Sequence, residues 1–423
     1  MRKSIKWLLA ALIVCSAGIF TACRETLTPP ETYSAATQEL RTLVDGNPQL
    51  KTLLEKAIAQ GVELNPDPKT NPAQTLTEYY DFVEWAAHAM PWSVIYQPEE
   101  TDIFTRIDQS LNYLFFINDL PLDELDGLSL YNNSLQYYEP YRSWLKSFAK
   151  AWGAYLDTED SWKQEYYDIV ASEDTFGISK GWYEDPSNWK TFNQFFARRL
   201  SSPAARPIAS PEENSVVVSP ADACTQGVWQ IDEEGYIVQK NEPGVQIKSK
   251  KFSSVAELVG PASSYRNAFN GGTLTHSFLN VQDYHRYHFP MAGIVKEISL
   301  IEADYAVGGS IKWNPETRRY ELFCDTPGWQ SIETRGCVIL ETPDYGLVAL
   351  LPIGMMPVTS INWTQEVTVG AQVYKGQELG WFLFGGSDFV ILFQKDIQFS
   401  LTPEPFSHQL MGEELGIITP LHH

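Results

Sequence analysis

The stretch "FLFGGSDFVILFQ" (382–394) sets two glycines, Ser387 and Asp388 between apolar runs. A buried strand accounts for the apolar residues, but not for a flexible glycine pair and a hydroxyl in their midst. A serine hydroxyl is a weak nucleophile that needs a base before it can attack a carbonyl. Imidazoles and carboxylates occur in two stretches upstream, "SPADA" (219–223) and "DYHRYHFPMAG" (283–293). Two more segments share their neighbourhood in the chain: "FNQFFARRL" with "ARPI" (192–208), and "KGQELGWFLFGGS" (375–387), which runs into the serine. Singly, each has a structural reading. Asp222 of "SPADA" caps a backbone N–H, "HRYH" is a strand with two surface imidazoles or half of a metal site, and the glycines before Ser387 form a bulge.

In this order and spacing the four stretches together resemble the phosphatidylserine decarboxylase family of pyruvoyl-dependent proenzymes, over about residues 190–415. The chemistry explains the residue types. Loss of CO₂ from an amino-acid group leaves a carbanion, and a carbonyl condensed with the amine is the electron sink that stabilises it. The resemblance implies that the chain makes that carbonyl itself. Ser387 Oγ attacks the Gly386 carbonyl and the amide becomes an ester. β-Elimination then frees the upstream chain, and the dehydroalanine left at 387 hydrolyses to a pyruvoyl group, so the cofactor is pyruvate derived from Ser387. Gly386 suits this step because a residue without Cβ lets the backbone strain and the hydroxyl approach.

The resemblance further makes His288 the base, oriented by Asp222, and gives His285 a role in the later decarboxylation. On an extended strand residues three apart point to opposite faces, so both histidines reach one site only through an irregular turn. Two positions depart from the family pattern. Asp388 stands where Thr or Ser is frequent, and its charge is expected to raise the pKa of His288 or to impede attack. Ala223 replaces a frequent glycine.

These groups need a scaffold. Up to about residue 200 helical periods dominate: Leu50, Leu53, Leu54, Ala57 and Ile58 share one face, with Gly61 as an expected C-cap, and Tyr141, Trp144, Leu145, Phe148, Trp152 and Tyr155 share another. Beyond about 205 short apolar or alternating runs are punctuated by Gly, Pro and Asp, and residues 343–346 form a hairpin connection. The expected fold is therefore α+β: a helical N-terminal region followed by a β-rich, phosphatidylserine-decarboxylase-like catalytic domain. The boundaries drawn are a signal at 1–22, a tether at 23–36, a helical domain at 37–190 and a catalytic domain at 191–423, cleaved between 386 and 387 into 23–386 and 387–423.

A net charge of −22 over 423 residues argues against nucleic acid as a partner, because phosphate contacts need clustered Lys and Arg. The start of the chain reads as an export signal. Arg2, Lys3 and Lys6 precede an apolar stretch, and small residues lead into Cys23, the expected site of lipidation. An ordinary signal peptide or an uncleaved anchor is the plainer alternative. The expected localisation is thus outside the cytoplasm, on a membrane through the lipid anchor. Cys324 and Cys337 are a conceivable disulfide, no cysteine set suits a metal, and no metal is expected.

For the substrate, the family resemblance alone implies phosphatidylserine. The helical region and its "NWKTFNQFF" junction resemble instead the associated domain of relatives that decarboxylate free amino acids such as tryptophan. The expectation leans to a free, aromatic L-amino acid, with phosphatidylserine as the alternative and a non-catalytic exported binding lipoprotein as the rival from another class.

Overall fold

The computed structural model describes residues 30–421 apart from 94–102, 128–132, 241, 244, 248–249, 253, 304–308, 324–326 and 356–359. The signal, Cys23 and Cys324 lie outside the described residues. Cys337 is a buried free thiol.

The helical region assembles from amphipathic faces. Helix Pro48–Leu64 starts where Asn47 accepts a hydrogen bond from the Leu50 amide, and it buries Leu50, Leu53, Leu54, Ala57 and Ile58. Gly61 is not its C-cap: the helix continues to Leu64, and Gly61 sits where a Cβ would come 2.5 Å from Ile117 Cδ1 of helix Ile103–Asp119. The glycine allows two helices to approach closely. Helix Tyr141–Leu156 buries Tyr141, Trp144, Leu145, Phe148 and Trp152, while Tyr155 stays at the margin of the core. Each such side chain is worth roughly 1.5–3 kcal/mol when taken out of water. The end of the expected tether is also part of the fold. A helix begins at Ala35, Tyr33 donates to Asp81, and Ser34 bonds Glu84.

The remainder is β-rich. An antiparallel eight-stranded sheet runs in the order Gln372–Val373, Gly293–Ile301, Thr334–Thr342, Gly346–Met355, Gly386–Phe393, Thr273–Leu279, Ala223–Gln230 and His408–Gln409. Thr334–Thr342 and Gly346–Met355 form the hairpin expected from residues 343–346. The strand that begins with Gly386 and Ser387 is interior to the sheet, with Ser387 opposite Gly354 on one side and Leu279 on the other. A three-stranded sheet (Ile361–Trp363, Glu378–Phe382, Arg286–His288) carries the histidine segment beside the chain that leads to the serine.

The two regions share one hydrophobic core. At their junction Trp162 stacks on Phe195 at 4.5 Å, and Tyr320 of the β-rich part donates to Thr70 and accepts from Asn65 of the helical part. Residue 190 is thus a change of secondary structure inside a continuous packing, not a linker.

Candidate active site

Ser387 is 1% exposed, and among the described residues its hydroxyl has no hydrogen-bond partner. Leaving a buried hydroxyl unsatisfied costs about 1–3 kcal/mol, so such a group calls for an explanation, and a reactive role is one. It also means that none of His285, His288 and Asp222 hydrogen-bonds Ser387 Oγ in this arrangement.

His288 is buried at the end of its strand. Its backbone amide bonds the Pro220 carbonyl at 2.8 Å, which brings the histidine beside the "SPADA" turn. The ring Nδ1 donates to the Gly376 carbonyl at 2.8 Å, because a carbonyl can only accept, and Nε2 therefore takes the Tyr284 hydroxyl at 3.1 Å. Gly376, at φ +81°, supplies the turn that aims that carbonyl, and a Cβ there would strike Ile208. Burial pushes the His288 pKa below the ordinary imidazole value, against the opposing pull of the Gly376 bond. The neutral imidazole is the form a general base requires. For Nε2 to take the serine proton, Tyr284 must release it.

The expected Asp222–His288 hydrogen bond is not formed. Asp222 accepts from Arg206 Nε at 2.9 Å, from Arg206 Nη2 and from the Met411 amide at 2.8 Å. Its charge still acts on His288, which it pulls upward from nearby. The competition is decided by charge: a buried carboxylate gains more from a fixed cation and a bidentate fork than from a neutral imidazole. Arg206 is fully buried over the Trp182 ring at 4.2 Å. Burial works against its charge, but the Asp222 pairing outweighs it and holds the guanidinium above its ordinary value.

His285 turns elsewhere. Its ring stacks on Phe196 at 3.7 Å and its Nδ1 donates to the Asp283 carbonyl. Burial first, then the Arg198 charge, keeps it well below the ordinary imidazole range, hence neutral. The pairing of Arg286–His288 with Glu378–Phe382 is irregular between Glu378 and Gly380, yet no bond or ring contact joins the two histidines. The Phe382 amide bonds the His285 carbonyl, so His285 lies against the chain five residues before Ser387.

Asp388 does not act on His288 as expected. Successive residues of a strand face opposite ways, so its carboxylate points away from the serine side. There it pairs with His276 Nδ1 at 2.8 Å, beside Gln330, and the His276 ring stacks on Trp229. The negative charge is absorbed on the other face of the sheet. Sequence reasoning also missed Arg206, although "ARPI" contains it, and Tyr284, the residue between Asp283 and His285. Nothing in the local pattern of Arg206 signals that it pairs with Asp222, and nothing in that of Tyr284 signals that its hydroxyl turns to His288 rather than to solvent.

A model of the family described as phosphatidylserine decarboxylase matches residues 192–417. The chain belongs to the phosphatidylserine decarboxylase family. It is a carboxy-lyase by that membership, and the family is in general pyruvoyl-dependent. It is 28% identical over 277 residues to Decarboxylase iboD of Amanita muscaria, covering 59% of this chain and 75% of that protein. It is 30% identical over 253 residues to Phosphatidylserine decarboxylase proenzyme 2 of Oryza sativa subsp. japonica, covering 60% and 37%. It is 33% identical over 213 residues to a phosphatidylserine decarboxylase proenzyme of Chlamydia trachomatis serovar L2, covering 49% and 60%. The chain thus spans less than two thirds of both phosphatidylserine decarboxylase proenzymes.

The residues present fit a chain-derived pyruvoyl group: a buried hydroxyl at Ser387 without a partner among the described residues, preceded by Gly386, in a chain whose His285 and His288 are buried and held neutral. That group, once formed, supplies the electron sink. His288 is placed to hold a proton at Nε2, and the aromatic surroundings of His285 exclude water.

The depressed pKa of His288 has a kinetic consequence. If His288 is the base that the family resemblance implies, its protonation on acidification would remove it, but only below the folded-state pKa, which lies under the ordinary value of about 6.5. The rate of self-cleavage, followed by timed denaturing electrophoresis, is expected to stay level from about pH 8 through that ordinary value and to fall only at more acidic pH. A midpoint at or above it would remove His288 from the role of base.

Proposed function

We propose that the protein is a pyruvoyl-dependent decarboxylase, self-processed at Gly386–Ser387, that removes CO₂ from a free L-amino acid with an aromatic side chain. The observation that carries the substrate reading is the packing of the helical region on the chain before Ser387. Trp152, Phe192 and Phe196 enclose Phe384, and beside this plug opens a cleft of about 300 Å³ with Leu383 in its wall. Glu184, Arg199, Arg286, Trp189 and Trp381 also line it. That volume, with charges of both signs and two indoles, suits a zwitterion with a ring and is small for a diacyl lipid. Among the described residues no helix is long and apolar enough to cross a membrane. The similarity to the decarboxylase of Amanita muscaria supports a decarboxylase reading outside the lipid relatives' names.

Phosphatidylserine is the second reading, favoured by the names of the rice and Chlamydia relatives. The reading also includes export and a lipid anchor on Cys23, checked by acyl labelling of the mature chain. A form beginning at residue 24, assayed for CO₂ release without detergent, is expected to turn over at least one free aromatic L-amino acid. Release from phosphatidylserine vesicles alone, with every free amino acid inert, would replace the free-amino-acid reading by the lipid one. A form that cleaves normally but releases no CO₂ from any amine would favour the binding lipoprotein.

A further inference from the structure

The bond between Gly386 and Ser387 has unequal supports. On its C-terminal side the chain enters the interior of the eight-stranded sheet and is paired on both flanks from Ser387 onward. On its N-terminal side, residues 383–385 belong to no strand. An attack by Ser387 Oγ on the preceding carbonyl depends on the orientation of that carbonyl, and Gly385 and Gly386 lack the side chains that would restrict it. Something other than sheet pairing must hold the acyl side.

Phe384 is where it is held. Its ring is fully buried, edge-on to Trp152 at 5.3 Å, Phe192 at 5.4 Å and Phe196 at 5.5 Å. Its amide donates to Asn193 Oδ1 at 3.1 Å, and Asn193 Nδ2 donates to Asp157 Oδ1 at 2.9 Å. Asn193 is 3% exposed and sits in the short helix Phe192–Phe196, which Thr191 caps. Asp157 is the C-cap residue of helix Tyr141–Leu156, the helix that also supplies Trp152. The carboxamide has one possible orientation, since reversing it would set its NH₂ against an N–H and its oxygen against a carboxylate.

We propose that the helical region, through Trp152 and Asp157, acts with the short helix Phe192–Phe196 as the positioning device for self-cleavage, with Asn193 and Phe384 as positioning residues that fix the acyl side of the scissile bond. The inference rests on the reading that Gly386–Ser387 is the cleaved bond. The helical domain thereby gains a role in forming the cofactor, separate from any role in substrate choice. Asn193 works through the Phe384 amide and touches none of the reacting atoms. A loosened carbonyl samples the attack geometry less often, and misplacement by an ångström costs on the order of 100-fold in rate.

The test is the half-time of cleavage of freshly translated full chain, read by denaturing electrophoresis, with thermal melting of each variant alongside. Asn193→Ala is expected to lengthen the half-time by about 10-fold to 100-fold. Asn193→Asp keeps the acceptor for the Phe384 amide but opposes two carboxylates, and is expected to be slow as well. Adding Asp157→Asn to that variant restores a donor at the outer end, because the carboxamide now at position 157 donates to the carboxylate now at position 193. Cleavage by the double variant is expected to recover most of the wild-type rate. A residue that merely supports the fold would not show this charge-swap rescue. Phe384→Leu, a milder change than removal of the ring, is expected to slow cleavage without rescue. Wild-type rates in Asn193→Ala, or a double variant no faster than Asn193→Asp alone, would overturn the proposal. If the wild-type chain itself stays whole, the cleavage reading fails first.

Discussion

Mature protein run on a denaturing gel is expected to separate into a large fragment and one of 37 residues, 387 to 423, with a blocked N-terminus reducible by borohydride. Ser387→Ala is expected to give a single band after any length of incubation. The structure makes this variant unusually clean. Among the described residues Ser387 Oγ has no hydrogen bond to lose, and its removal relieves a buried unsatisfied hydroxyl, so stability should be unchanged or higher by about 1 kcal/mol. Loss of cleavage with an unchanged or raised melting midpoint would assign the effect to chemistry. Two fragments from Ser387→Ala, or one band from wild type, would refute the assignment. The small fragment should remain bound after cleavage without denaturant, because it supplies an interior strand of the main sheet and because His408 within it holds Asp283 of the large fragment at 2.7 Å.

The second large effect falls on Asp222. Its carboxylate and the Arg206 guanidinium are both buried, and removing one leaves the other as an uncompensated charge beneath Trp182 and the neighbouring tyrosines. Breaking a buried pair in this way costs about 3–5 kcal/mol, a large share of the roughly 5–15 kcal/mol by which a domain is stable. Asp222→Ala is therefore expected to lower the denaturant midpoint severely as well as to impair cleavage. Replacing both partners by apolar residues of similar volume is expected to return most of the stability and not the cleavage. If Asp222→Ala lost less than about 1 kcal/mol, the pair would be dispensable to the fold, and Asp222 would be free for the orienting role that the family resemblance implied.

Local pattern carried a good deal of this protein. The apolar stripes of Pro48–Leu64 and Tyr141–Leu156 were legible because a helix repeats every 3.6 residues, and burial of one face follows from that period alone. The hairpin at 343–346 was legible from its turn residues. Gly386, Ser387, His285 and His288 were singled out because four dispersed stretches resemble one family; the two histidines lie about a hundred residues before the serine, too far for any local pattern to join them. What local pattern does not contain is the identity of a partner. Asp222 was matched to His288, and tertiary packing gave it to Arg206, because a buried carboxylate takes the cation that folding brings within reach. Asp388 was set against His288, and the pleat of the strand turned it to His276 on the other face. Gly61 looked like a helix end and instead admits Ile117 of a helix more than forty residues away in the chain. The link from Asp157 through Asn193 to Phe384 spans more than two hundred residues. Period and composition decide which side of an element is buried. Only the packing of all elements together decides what each buried group meets there.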